Sequence, residues 1–77
     1  MTKAYVLIAV DAGYEDDVIS KIRSIKGVVE AHTMLSGATD IIAEIERDDK
    51  ETIREIVHKN IRKIPQVRST QVNIVID

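Results

Sequence analysis

The chain has 77 residues, 11 basic and 13 acidic side chains, a formal net charge of -2 and no cysteine. Those counts exclude disulfides, thiolate metal sites and cysteine nucleophiles, and an acidic balance does not draw a phosphate backbone, so direct nucleic-acid binding is not expected. The length fits one domain spanning residues 1–77, with a core that is marginal unless a partner completes it.

Ala4 to Val10 is rich in aliphatic and β-branched residues and stops at Asp11-Ala12-Gly13, which reads as a strand and a turn. The run is too short for a membrane span or a signal peptide, so a cytoplasmic protein is expected. From Glu15 the period changes. Val18, Ile19, Ile22 and Ile25 recur at helical spacing, Glu15, Asp16 and Asp17 sit at the helix start, and Gly27 is the expected stop with Lys26 near the negative end.

Val28 to Leu35 reads as the second strand, with Val29, Ala31, Thr33 and Leu35 on one face and Glu30, His32 and Met34 on the other. Leu35 to Asp40 is small and polar, a tight connection to a third strand at Thr39 to Glu46. That strand places Ile41, Ala43 and Ile45 opposite Ile42, Glu44 and Glu46. Asp48 with Glu51 three residues on resembles a capping box. The second helix then carries Ile53, Ile56, Val57, Ile61 and Ile64 as its buried stripe and ends before Pro65. A last strand, Arg68 to Ile76, aligns Val72, Ile74 and Ile76.

The order βαββαβ predicts an α+β, ferredoxin-like fold: a four-stranded antiparallel sheet, two helices on one face, and the first and third strands central. A faint repeat supports it, since Ile22-Arg23-Ser24-Ile25-Lys26-Gly27-Val28 echoes Ile61-Arg62-Lys63-Ile64-Pro65-Gln66-Val67. Two helices cover one sheet face only. Tyr5, Leu7, Ala9, Met34, Ile42 and Val75 are expected on the other, which makes that face a candidate dimer interface.

Little in the chain is armed for catalysis. His32 and His58 belong to no metal-binding motif, and no metal or cofactor is expected. Ser36, Ser69 and Thr70 lack an activating base, and the three glycines form no phosphate loop. Paired acids such as Asp16-Asp17 and Asp48-Asp49 fit helix starts. Tyr5 and Tyr14 are the only aromatic residues, and Glu30, Glu44 and Glu46 lie on or beside the open face, which opposes RNA binding. What remains is the turn. Gly37 permits positive φ or close backbone approach, Asp40 can accept from an ammonium group, and Ser36 and Thr39 offer hydroxyls; the same residues also suit a plain hairpin turn.

The Ala4-Tyr5-Val6-Leu7-Ile8 strand, the Gly27-Val28 helix exit, the Ser36-Gly37-Ala38-Thr39-Asp40 turn with its Gly-x-x-Asp pattern, and Val67-Arg68-Ser69-Thr70 follow one another in an order that resembles the ligand-binding, or RAM, domain of the Lrp/AsnC transcription regulators. The resemblance implies a non-enzymatic regulatory domain that dimerises through its sheets and assembles further, often into octamers. It implies a free amino-acid effector held near the turn by Gly37 and Asp40, with Ser36, Ala38 and Thr39 beside them and Ser69 and Thr70 as weaker candidates. Because the sequence begins at the first strand, it is expected to lack its own DNA-binding module. Full-length Lrp/AsnC regulators are then expected partners in mixed assemblies. The alternatives are a purely structural association module and a small ferredoxin-like enzyme.

Overall fold

The computed structural model describes residues 1–35, 37 and 39–77. Alternation and helical spacing resolve into β1 (Thr2–Val10), α1 (Glu15–Arg23), β2 (Val28–Thr33), β3 (Ile41–Arg47), α2 (Lys50–Ile56) continued by a π-helical turn (Val57–Ile61), and β4 (Val67–Ile74). The sheet is antiparallel in the order β2-β3-β1-β4, so β1 and β3 are central as expected. Their inward residues explain the position: Ala4, Val6, Ile8, Ile41, Ala43 and Ile45 are all fully buried. They pack with Val18, Ile19 and Ile22 of α1, and with Ile53, Val57 and Ile61 of α2 and its π turn, in one core cluster. Both helices therefore cover the same sheet face, and the other face is open.

The repeat in the sequence is a repeat of hydrogen bonds. Ile25 N–H donates to Ile22 and Val28 N–H to Ile25, both at 3.1 Å; in the second half Ile64 N–H donates to Ile61 at 3.1 Å and Val67 N–H to Ile64 at 3.0 Å. The carbonyl between each pair then receives a neighbouring strand, Gly27 from Glu46 N–H at 3.0 Å and Gln66 from Asp11 N–H at 2.9 Å. Each half thus leaves its helix through two tight turns and locks straight into the sheet.

Several boundaries differ from the sequence reading. α1 stops at Arg23, not at Gly27, because Ser24 closes the helix with its hydroxyl on the Lys21 carbonyl at 2.7 Å and the double turn begins there. Ile25 packs on the core from outside the helix, and Lys26 lies beyond its last turn. The cap of α2 is Asp49, not Asp48: its backbone is extended, and its Oδ1 accepts Thr52 N–H at 2.8 Å and the Thr52 hydroxyl at 2.7 Å. Thr52 takes the place expected for Glu51. Those donors hold the Asp49 carboxyl below its ordinary pKa, the backbone bond from Thr52 contributing most.

On the edge strand β2 the expected alternation holds from Glu30 to Thr33 and fails at Val29. A register shift between Val28 and Glu30 opposes two β2 residues to one of β3; it turns Val28 toward the core and leaves Val29 53% exposed. Ala31 keeps its inward place, while Thr33 is exposed and Leu35 lies beyond the strand, fully exposed. Ile76 likewise falls past β4 and is 95% exposed, whereas Val72 and Ile74 pack on the core. The outer edge of β2 is not bare, because the Arg23 guanidinium donates to the Ala31 carbonyl at 2.8 and 3.1 Å. No helix among the described residues is long and apolar enough to cross a membrane.

Candidate functional site

One end of the sheet gathers the β2–β3 connection, the end of β1 and the start of β4. Ile8 pairs with Ile41 on one side and with Thr70 on the other, and Ala9 pairs with Ser69. The connection is longer than a tight hairpin, since Thr33 opposite Ile41 is the last β2–β3 pair and Met34 N–H then donates to the Asp40 carbonyl at 2.7 Å. Gly37 holds φ of +106° and is exposed, with nothing within 4 Å of where a Cβ would stand. Its requirement is conformational, not steric. Thr39 is half-buried, and Ser36 and Ala38 lie outside the described residues.

Asp40 has an unexpected partner. Its N–H donates to the Ile8 carbonyl at 2.8 Å, and its Oδ2 accepts the Val10 N–H at 2.7 Å. Residues two apart on a strand address the same neighbour. Ile8 and Val10 therefore both turn toward β3, and where β3 gives way to the connection the Asp40 carboxylate stands in for the missing main-chain acceptor. One oxygen is thus committed to the fold. Among the described residues Oδ1 has no hydrogen-bond partner, so it is the oxygen that can receive a ligand.

Ser69 and Thr70 do not act together. Ser69 pairs with Ala9 and shares its open side of the sheet; Thr70 pairs with Ile8 and faces the helices, half-buried. Between β1 and β4 the register skips Arg68: Ala9 pairs with Ser69, then Val10 with Val67. The bulged Arg68 brings its Nε to 3.7 Å from Asp11 Oδ1, both side chains exposed. This pair stands at the same sheet end as Asp40 and adds a cation to it, a role that the sequence analysis did not give to Arg68. Its one signal in the sequence is its place directly after the second copy of the repeat, where the chain enters β4.

The open face carries the expected apolar residues. Tyr5 is 37% exposed, Leu7, Met34, Ile42 and Val75 are half-buried, and Ala9 is already covered within one chain. Leu7 and Ile42 are register partners and form the apolar middle. Glu30 and Glu44 are directly opposed, an unfavourable pairing that His32, 3.0 Å from Glu30, and Lys3, 3.6 Å from Glu44 and 3.9 Å from Glu46, surround. Tyr5, Glu30, His32, Ile42 and Glu44 line a shallow recess of about 170 Å³ on this face. Among the described residues, no three His, Asp or Glu side chains gather as a metal site. His58 is exposed on the π turn.

Comparison with known proteins fits this geometry. Residues 3–77 match the model of the Lrp/AsnC ligand binding domain family. The crystal structure of FFRP-DM1 is 30% identical over 99% of this chain and all of its own, with a TM-score of 0.90. Hypothetical protein PHS023 from Pyrococcus horikoshii is also 30% identical, over 100% of this chain and 92% of its own, at 0.88. The transcriptional regulator NMB0573 from Neisseria meningitidis, solved as a complex with L-Met, shares the fold at 17% identity and a TM-score of 0.84; it is matched over 99% of this chain and 50% of its own. No curated protein matches. On the match of residues 3–77 and the likeness to two relatives at 30% identity, this chain belongs to the Lrp/AsnC ligand binding domain family.

Proposed function

We propose that this chain is a self-associating regulatory domain whose effector is a free amino acid, bound at the sheet end that holds Asp40. The observation that carries the reading is Asp40 itself, whose Oδ2 is pinned to Val10 N–H while its Oδ1 has no hydrogen-bond partner among the described residues. A ligand ammonium placed there meets a carboxylate already held in position, so little ordering cost remains. Arg68, Ser69 and the exposed Gly37 are available donors for a ligand carboxylate at the same end.

One chain supplies only part of such a pocket. The residues stand at the rim of the open face, and a second copy laid on Tyr5, Leu7 and Ile42 brings a neighbouring surface to that rim. The complex of NMB0573 with L-Met supports an amino acid as the class of ligand. Dimers and octamers are the expected assemblies, and mixed assemblies with full-length Lrp/AsnC regulators are the route by which binding acts on transcription. Calorimetric titration with the common L-amino acids, at concentrations that keep the assembly intact, tests this. Saturable heat with at least one amino acid supports the reading; a flat response across the panel with unchanged assembly rejects it.

The bond from Val10 N–H to Asp40 also favours a second reading, a structural association module in which Asp40 serves the fold alone. Asp40→Asn separates the two, because the amide oxygen can still accept from Val10 while the charge is gone. Retained fold with lost binding supports sensing at Asp40; retained affinity shows that Asp40 serves the fold alone, and a wild-type chain that assembles without binding any amino acid supports the association module.

A further inference from the structure

A second recess, of about 250 Å³, lies on the helix side at the far end of β3, lined by Ile25, Lys26, Arg47, Thr52, Ile56 and Asn60. At about 3.3 Å of rise per residue, Arg47 and Asp40 stand about 23 Å apart along the strand. It is therefore separate from the Asp40 end.

Arg47 is the unusual group. Its Nε is buried without a hydrogen-bond partner, and among the described residues neither Arg47 nor Lys26 forms an ion pair. A buried guanidinium N–H facing no acceptor is rare in a native protein, where such donors are nearly always matched. The surroundings hold the group in place. A Cβ at Gly27 would stand 2.8 Å from Arg47 Cδ and 3.2 Å from Ile56 Cδ1, so the glycine leaves space for the arginine stem to lie over the turn. Thr52, Ile56 and Asn60 recur at intervals of four, which in an α-helix drifts by about 40° per step. The π turn, closed by Arg62 N–H to the Val57 carbonyl at 2.9 Å, widens the helix there and keeps Asn60 on the side of Thr52 and Ile56.

The lining also selects the ligand. Two cations and the Asn60 amide offer donors, while the Thr52 hydroxyl gives its proton to Asp49 and donates nothing further. Asp49, bonded to Thr52, adds a negative charge nearby and so disfavours a doubly charged guest. Ile25 and Ile56 offer apolar contact. A planar, singly charged group with a short hydrocarbon stem fits, and the guanidinium fork matches a carboxylate. We propose that this recess binds a small aliphatic carboxylate, with Arg47 as anchor, Lys26 as the second cation, and Ile25 and Ile56 against the alkyl stem.

The test is a titration of the ¹⁵N-labelled chain with butyrate, which lacks the ammonium group an Asp40 ligand needs, followed by amide and arginine Nε–H resonances. Saturable shifts at Lys26, Arg47, Thr52 and Asn60, with movement of the Arg47 Nε–H signal, are expected. Arg47→Gln should weaken binding about tenfold or more, the loss of one charge-assisted contact, with signals at the Asp40 end unmoved. Should that variant fold poorly, Lys26→Gln at the exposed second cation should weaken binding by a smaller factor. No saturation, equal shifts with sodium chloride at matched ionic strength, or binding of inorganic phosphate without butyrate would each overturn the proposal.

Discussion

Replacing Asp40 by alanine removes the acceptor of a 2.7 Å bond from the partly buried Val10 N–H, at the junction where β1 loses its β3 partner. An orphaned buried donor costs about 1–3 kcal/mol. For a domain of this size each kcal/mol moves Tm by about 4–8 °C, so Asp40→Ala should lower Tm by about 4 °C at least. Asp40→Asn restores an acceptor and gives up only the charge assistance, about 1 kcal/mol of difference between a charged and a neutral bond. The expected order of stability is therefore wild type, then Asn, then Ala. Urea unfolding with a common m-value, read by circular dichroism, measures it. If Ala and wild type unfold within about 0.5 kcal/mol of each other, the range of an ordinary surface substitution, the carboxylate does not hold the strand end and the structural half of the argument is refuted. Its binding half is read separately: Asp40→Asn should weaken the best amino-acid ligand about tenfold or more through the lost charge.

Leu7→Glu places a charge at the apolar middle of the open face, beside Ile42; sedimentation velocity should show the assembly dissociating while circular dichroism stays folded, and an intact assembly would locate the interface elsewhere. Asp49→Ala should lower Tm at neutral pH and matter progressively less in acid. The folded-state pKa of that carboxyl is depressed, so its contribution is present above the ordinary aspartate range near pH 4 and fades as pH falls through the lower folded value; a mutant deficit that does not vary with pH would contradict the cap. Gly27→Ala combines positive φ with a contact 2.8 Å from Arg47 Cδ, whereas Gly37→Ala meets open space. The first should therefore cost more than the second, which carries only the backbone term of about 1–2 kcal/mol. Ile53→Ala, at a fully buried helix position, should cost about 2–5 kcal/mol by equilibrium unfolding.

The architecture was legible where apolar alternation along a strand is unbroken. Val6 and Ile8, flanked by Leu7 and Ala9, and Ile41, Ala43 and Ile45, with Ile42 between the first two, mark β1 and β3 as the central strands from the sequence alone. Local competition blurred the ends. Ile25 continues the helical period of α1, yet the chain there follows the double turn that its own repeat in Ile61 to Val67 encodes. Asp48 and Asp49 have the same chemistry, and only the extended backbone at Asp49 decides which one caps. The bulge at Val28 is set by pairing with Ile45, a partner distant in sequence, so alternation along β2 alone misplaced Val29. At the candidate site the turn and its acid were visible as a pattern, while the bond from Val10 to Asp40 spans 30 residues and no local spacing announces it. Arg68 was obscured in the same way, because a register shift, not its neighbours, brings it to Asp11.

Sedimentation equilibrium across the micromolar range, with and without the amino-acid panel, tests the central claim most directly. The account predicts a mass that is a multiple of the single chain, and a shift in the distribution of assemblies with at least one amino acid, because a ligand at the rim of the open face binds the assembled states unequally. A single-chain mass at every concentration, unchanged by any amino acid, would contradict it.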